Sequence, residues 1–225
     1  MLNNFFGLHV PKLLCYGVHS NGLACRNYIY PYKRTKLYMG RNDLFLDSGI
    51  IYGSIDRSDE TWHNPCKDHF RKFPRNKNNY FSVKRIVDME IDNVGRNRKR
   101  SGFIKSDRIL RSIVQTAQAW FNNKEISDID YINSNKERYD VLYNIIHKLL
   151  LERRSDQNPK DRDAHLLTNA FMWDSENRAL HNPHFITIDY ADIKKNENEL
   201  VSEASNCLGT APSLKFCLVL PKQAS

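Results

Sequence analysis

Four acidic residues of this sequence stand where the chemistry of a divalent cation would use them. Asp47 and Asp189 each follow a short apolar run that is typical of a buried parallel strand. Asp163 opens a predicted helix, and Glu90 lies on the apolar side of another one. Acids gathered in one place repel one another, and Mg²⁺ or Mn²⁺ relieves this repulsion because both ions prefer oxygen ligands. Such ions can generate hydroxide and stabilise the attacking and leaving oxygens during phosphodiester hydrolysis.

The predicted secondary structure brings these acids toward one edge of a sheet. Apolar runs predict strands near 44–47, 80–81, 126–132, 185–189 and 214–220, and helical spacing predicts helices near 54–73, 82–94, 105–121, 142–150, 163–171 and 197–207. Ser82 is expected to cap the second helix, which is expected to weaken at Gly95. The alternation predicts the α/β class, with a mainly parallel sheet covered on both faces. Ligands of such sheets bind at the carboxyl ends of the strands.

The first residues differ in composition from the rest of the chain. The full length of 225 residues suits one globular domain with an appendage. Residues 1–42 are rich in Tyr and Asn and fit no helical period, and Asn21-Gly22 between two apolar segments predicts a hairpin turn. We therefore predict an N-terminal β appendage over 1–42 and the α/β domain over 43–225.

Basic side chains are concentrated before residue 161. The formal net charge is +8, and residues 161–225 hold six basic and nine acidic side chains, so the preceding residues carry +11. A run of bases follows Glu90 closely, namely Arg96, Arg98, Lys99, Arg100, Lys105, Arg108 and Arg111. Such a run is either a solvated face or a track for phosphates, whose binding releases counterions. We predict that it binds nucleic acid.

The cysteines and the hydropathy pattern favour a cytoplasmic protein. The five cysteines are odd in number and include no CxxC pair, which indicates reduced thiols. No signal peptide is recognisable, and no apolar stretch approaches the roughly 20 residues that cross a bilayer. We therefore expect no membrane partner. A nucleotide-binding domain is disfavoured because no GxGxxG loop and no GxxxxGK loop follows a predicted strand.

Four segments resemble the acidic motifs of the PIN-domain nucleases and occur in that family's order. They are FLDSGIIYG at 45–53, VKRIVDMEID at 83–92, DRDAHLLTNA at 161–170 and FITIDYADI at 185–193. The chain departs from the family at Gly49, where Asn is frequent. The resemblance implies that the catalytic metal ligands for Mg²⁺ or Mn²⁺ are Asp47, Glu90, Asp163 and Asp189, supported by Ser48 and Thr187.

The same resemblance carries expectations about fold and substrate. It covers about residues 43–220. It implies a three-layer α/β/α sandwich in which the helix near 105–121 is an insertion. It also implies that the substrate is RNA, single-stranded rather than double-stranded.

The third and fourth motifs each contain a second acid. Asp161 competes with Asp163, and we favour Asp163 because Ala170 follows it by seven positions, as in the family pattern. Asp161 remains a supporting candidate. Asp192, three residues after Asp189, either joins the metal shell or caps the next helix.

The second motif contains a competing acid as well. Asp88 lies two positions before Glu90. We favour Glu90 because Val83 and Ile86 precede it by seven and four residues, which places the three side chains on one helical face.

The sequence thus leads to one main hypothesis and one alternative. The main hypothesis is a metal-dependent endoribonuclease in which bound water attacks the phosphodiester and the basic run holds the backbone. The alternative is a catalytically inactive module of the same fold that binds RNA or a protein. The sequence leaves open the choice between RNA and DNA, the number of metal ions, the presence of an inhibitory protein partner, and the formation of homodimers.

Overall fold

The computed structural model describes residues 42–102, 106–154, 159–177 and 182–222, so the predicted hairpin within 1–42 lies outside the described residues. The strands are β1 (Asn42–Leu46), β2 (Asn78–Ser82), β3 (Ser127–Asp128), β4 (Asn182–Thr187) and β5 (Lys215–Leu218). The helices are α1 (Ser48–Ile55), α2 (His63–Lys72), α3 (Lys84–Arg100), α4 (Asp107–Asn122), α5 (Lys136–Arg153), α6 (Asp161–Asn177) and α7 (Glu197–Leu208), with a π-helix at Tyr190–Lys194. Within these ranges, none of the helices combines the length and the apolar character needed to cross a membrane.

The described strands form one parallel sheet with a hydrophobic core on each face. Their order is β3-β2-β1-β4-β5. Side chains alternate along β1, so Leu44 and Leu46 belong to one core and Phe45 to the other. The first core includes residues of α1, α2 and α4, and the second includes residues of α5, α6 and α7. The predicted α/β class and the three-layer α/β/α sandwich are confirmed.

Asparagine side chains join the amino ends of three strands. Asn42 lies in register with Asn78 of β2 and with Asn182 of β4. The Asn42 amide nitrogen donates to Asn78 Oδ1 over 3.0 Å, and the Asn182 amide nitrogen donates to Asn42 Oδ1 over 3.3 Å. The same register places Leu46 beside Ile186. The carboxyl ends of β1 and β4 therefore lie side by side.

The predicted helix over 54–73 is wrong in its first half. The structure has two helices there, α1 and α2, with a turn between them. Asp56 Oδ1 accepts a hydrogen bond from the Ser58 backbone N–H over 2.9 Å, and Asp59 Oδ1 accepts one from the Trp62 backbone N–H over 3.1 Å. Because such side-chain bonds compete with helical ones, an acidic stretch that resembles a first helical turn forms a loop instead.

Two predictions about α3 are also wrong. Ser82 does not cap the helix, whose N-cap is Val83, because the Ser82 hydroxyl donates to the Leu46 carbonyl oxygen of β1 over 2.8 Å. The helix does not weaken at Gly95 but continues to its end at residue 100. A Cβ atom at Gly95 would lie 2.1 Å from Leu110 Cδ1. A larger residue at position 95 would therefore require the Leu110 side chain to move.

The other predicted elements are confirmed with shifted ends. The strand predicted over 126–132 is limited to β3, since the Tyr131 backbone N–H donates to Asn169 Oδ1 of α6 over 2.6 Å rather than to a strand. β4 ends at Thr187, so Asp189 follows the strand by two residues. This position makes Asp189 the N-cap of the π-helix.

We expect His69 of α2 to reduce the stability of the folded protein at acidic pH. Its ring is buried, 5.0 Å from the Phe73 ring centre, and burial lowers the pKa of His69 from 6.5 to about 4. Below pH 6.5 the unfolded chain binds a proton that the folded chain does not bind until about pH 4. The stabilisation present above pH 6.5 is therefore lost as the pH falls to about 4. The loss is about 3 kcal/mol from this residue.

Denaturant unfolding at neutral and acidic pH measures this loss. The variant His69→Leu should depend less on pH than the wild type. His63→Gln, in the same helix, is the matched control, because the His63 ring is only partly buried. An identical pH dependence in His69→Leu and the wild type would contradict the assignment.

Candidate active site

The carboxyl ends of β1 and β4 open onto a cleft of about 250 Å³. Five carboxylates line it. Four come from the predicted motifs, namely Asp47, Glu90, Asp163 and Asp189, and the fifth is Asp59, which pairs with Arg98, another lining residue. Asp47 follows β1, Glu90 lies in α3, Asp163 lies in the first turn of α6, and Asp189 follows β4. The structure thus brings together all four acids that the sequence analysis assigns to catalysis.

Asp47 is held firmly at the end of β1. Its carboxylate accepts hydrogen bonds at Oδ1 from the Gly49 backbone N–H and the Ser48 hydroxyl, both over 3.2 Å. Burial raises the pKa of Asp47, and the nearby charge of Asp189 raises it further. The hydrogen bonds that the carboxylate accepts lower the pKa and oppose this rise. A Cβ atom at position 49 would lie 2.8 Å from Ile188 Cδ1, so the glycine that replaces the family's usual Asn fits closely against the segment after β4.

Thr187 links the two strand-end aspartates. Its hydroxyl donates to Asp47 Oδ2 over 2.6 Å and accepts from the Asp189 backbone N–H over 2.9 Å. Asp189 Oδ1 in turn accepts from the Asp192 backbone N–H over 2.9 Å. One buried hydroxyl therefore holds the Asp47 carboxylate and the Asp189 backbone relative to each other.

Glu90 and Asp163 also line the cleft and lie near other negative charges. Burial, followed by the charges of Asp47 and Asp163, raises the pKa of Glu90 well above its ordinary value. Burial and the charge of Asp47 raise the pKa of Asp163 to about 7. The Arg162 guanidinium lies 4.0 Å from Glu90 Oε1. The acids repel one another across a shared space, which is the situation that a bound cation relieves.

The competing acids lie elsewhere. Asp88 forms an ion pair with Lys84 one helical turn away and does not line the cleft. Asp161 is more than half exposed and accepts from the Tyr143 hydroxyl over 3.2 Å. Asp192 is buried and neither lines the cleft nor caps the helix that follows it.

Sequence reasoning missed Lys160. This residue is buried immediately before α6, and its Nζ lies 2.6 Å from Asp192 Oδ2 and 3.7 Å from Asp163 Oδ2. The sequence contains one weak indication. A lysine at the amino end of a predicted helix is disfavoured by the helix dipole, so it is expected to pair with an acid. The partner Asp192 is 32 residues away, and only the tertiary structure reveals it.

The structure divides the basic run into paired and unpaired members. Arg96 pairs with Asp92 over 2.6 Å, Arg98 pairs with Asp56 over 3.0 Å and with Asp59 over 2.8 Å, and Lys99 pairs with Asp107. The exposed members that form no salt bridge with any described residue are Arg100, Arg108 and Arg111. Lys105 lies outside the described residues. The three exposed arginines are therefore the best placed for contact with phosphates.

The donors in the cleft suit a hard divalent cation. The four proposed ligands are carboxylates, whose oxygens Mg²⁺ and Mn²⁺ prefer, and their mutual repulsion favours a bound cation. Among the described residues, no three His, Cys, Asp or Glu side chains are already gathered closely enough to hold a metal ion. Mg²⁺ is commonly held by one or two carboxylates and completes its shell with water and substrate phosphate. The residues present therefore fit such an ion.

Comparison of the chain with protein-family models, with curated proteins and with solved structures gives no match. Membership of the PIN-domain family accordingly stays a prediction from the four motifs.

Proposed function

We propose that this protein is a metal-dependent endoribonuclease. The observation that carries the proposal is the convergence of Asp47, Glu90, Asp163 and Asp189 on one cleft at the carboxyl edge of a parallel sheet, where ligands of such sheets bind. RNA as the substrate follows from the resemblance to the PIN-domain nucleases. A cytoplasmic location agrees with this proposal and with the free thiols of Cys66, Cys207 and Cys217.

Each part of the site has a distinct task in the proposed reaction. The four carboxylates would hold Mg²⁺ or Mn²⁺, which when bound activates water and stabilises charge on the phosphate oxygens. Thr187 orients the Asp47 carboxylate and holds the backbone of Asp189 through its two hydrogen bonds. The positive charges of the exposed arginines bind the phosphate backbone without reading bases.

A circular single-stranded RNA tests the proposal directly, because only an endonuclease can open a circle. With the purified full-length protein we expect linear product in the presence of Mn²⁺ or Mg²⁺ and none in the presence of EDTA. Cleavage that persists in EDTA would contradict the metal-dependent mechanism. An intact circle in the presence of both metals would contradict nuclease activity on RNA.

The alternative of an inactive binding module predicts a different pattern in the same experiment. RNA would shift in a gel or change its fluorescence anisotropy, and the circle would remain intact with every metal. Cleavage of a single-stranded DNA circle but not of an RNA circle would retain the chemistry and change the substrate.

A further inference from the structure

Lys160 is a buried cation beside the acidic cleft. Only 4% of the residue is exposed, and it is not among the residues that line the cleft. Its ammonium group contacts Asp192 Oδ2 over 2.6 Å and lies 3.7 Å from Asp163 Oδ2. Asp163 is one of the four cleft carboxylates, so this ammonium connects the cleft to a second, fully covered acid.

Without nearby acids, a positive charge at the position of Lys160 would be unfavourable for two reasons. Burial of an ammonium group is costly unless it is paired. Its carbonyl oxygen accepts from the Ala164 backbone N–H over 2.9 Å, which places Lys160 at the amino end of α6, where the helix dipole disfavours a positive charge. Both carboxylates offset this cost, Asp192 through direct contact and Asp163 at longer range.

The charge of Lys160 acts on the acids of the cleft itself. It lowers the pKa of Asp163 and of Glu90, against the larger effects of burial and of neighbouring acids that raise them. An ammonium is a compact point charge with three donors, so it neutralises carboxylates much as a small metal ion does.

We propose that Lys160 is the resident cation of this site and that the cleft accordingly binds one divalent ion, on the side of Asp47 and Asp189. The inference rests on the proposed metal-dependent function. Paired ions in two-metal sites lie about 3.5–4 Å apart. A second ion against Asp163 would meet the ammonium, which already lies 3.7 Å from that carboxylate oxygen. Repulsion between the two cations disfavours the second ion.

Manganese binding to the full chain tests this inference without any measurement of activity. Titration with Mn²⁺, followed by the electron paramagnetic resonance signal of the free ion, counts the ions bound per chain. We expect one ion for the wild type and one for Lys160→Arg, which keeps the charge. We expect two for Lys160→Met, which removes the charge and retains much of the length.

Thermal unfolding provides a second readout. Lys160→Met leaves Asp163 and Asp192 without their shared cation, so it should unfold at a lower temperature than the wild type in EDTA. Mn²⁺ should then raise its unfolding temperature by more than it raises that of the wild type. Lys148→Met is the matched control, since Lys148 is exposed and its ion pair within the described part of the chain is with Glu152 of the same helix. It should match the wild type in both readouts.

The outcomes separate this inference from the proposed function. Two ions bound to the wild type, or one ion bound to Lys160→Met with unchanged affinity, would overturn the inference even if the protein cleaves RNA. If Lys160→Met does not fold, Lys160→Gln, which also removes the charge, takes its place, and one ion bound to it with unchanged affinity would overturn the inference. One ion bound to the wild type and two bound to the charge-removing variant, without cleavage of RNA, would contradict the proposed function and support the inference. No bound ion would contradict both.

Discussion

Replacement of Asp47 or Asp189 by asparagine should reduce Mn²⁺-dependent cleavage of RNA by about 10³-fold, because a metal ligand contributes several kcal/mol to the transition state. Asparagine has nearly the same shape as aspartate but lacks the negative charge that attracts the cation. Both side chains line the cleft and both are proposed ligands of the same cation, so the two variants should lose activity to a similar extent. Initial rates on the single-stranded RNA circle, with each variant at equal concentration, measure the effect.

The same variants should retain the fold and unfold at an equal or higher temperature without metal. Removal of one charge relieves the repulsion between Asp47 and Asp189, and an asparagine oxygen at position 47 can still accept a hydrogen bond. Asp68→Asn is the matched control, since Asp68 is half exposed and pairs with Arg71 on α2. Full activity in either Asp47→Asn or Asp189→Asn, with purified protein, would overturn the nuclease mechanism.

Replacement of Arg100, Arg108 and Arg111 by glutamine should weaken RNA binding across all sequences. These arginines are exposed and form no salt bridge with a described residue, so their charges are available to phosphates. If all three contact the backbone, the slope of log K against log salt should fall by about 2, at roughly 0.7 per contact with a single strand. Fluorescence anisotropy of labelled RNA at several salt concentrations gives both the affinity and the slope.

A paired arginine supplies the control for this triple variant. Arg96→Gln removes a charge that Asp92 already neutralises, so it should change the slope less than any one of the three exposed arginines. Cleavage at saturating RNA should change little in the triple variant, because these residues are assigned to binding. An unchanged slope would show that this segment is a solvated face.

The fold could be predicted largely from local pattern. Apolar runs identified β1 and β4, and helical spacing identified α4 and α5, since both signals arise within a few residues. The break between α1 and α2 was missed because Asp56 and Asp59 serve equally well in a first helical turn and in a loop. Local composition does not decide between these two uses.

The acids of the candidate site could be predicted from local sequence, but the ion pairs around them could not. Strand-end aspartates and the order of four motifs pointed to the acids of the cleft. The partners of the basic residues were not predictable, because Arg98 pairs with Asp59, which lies 39 positions earlier in the chain. Lys160 and Asp192 are separated similarly, by 32 positions. Such pairs depend on how helices pack, which periodicity does not reveal.

The bond between Thr187 and Asp47 joins residues 140 positions apart, and this separation bears on how the protein is made. Ribosomes synthesise the amino end first, so β1 emerges long before β4, which must pair with it to complete the cleft. A chain still in synthesis lacks Asp189 and the Thr187 hydroxyl that orients Asp47. If the cleft cleaves RNA as proposed, a nascent chain has no complete cleft until β4 and Asp189 have been synthesised.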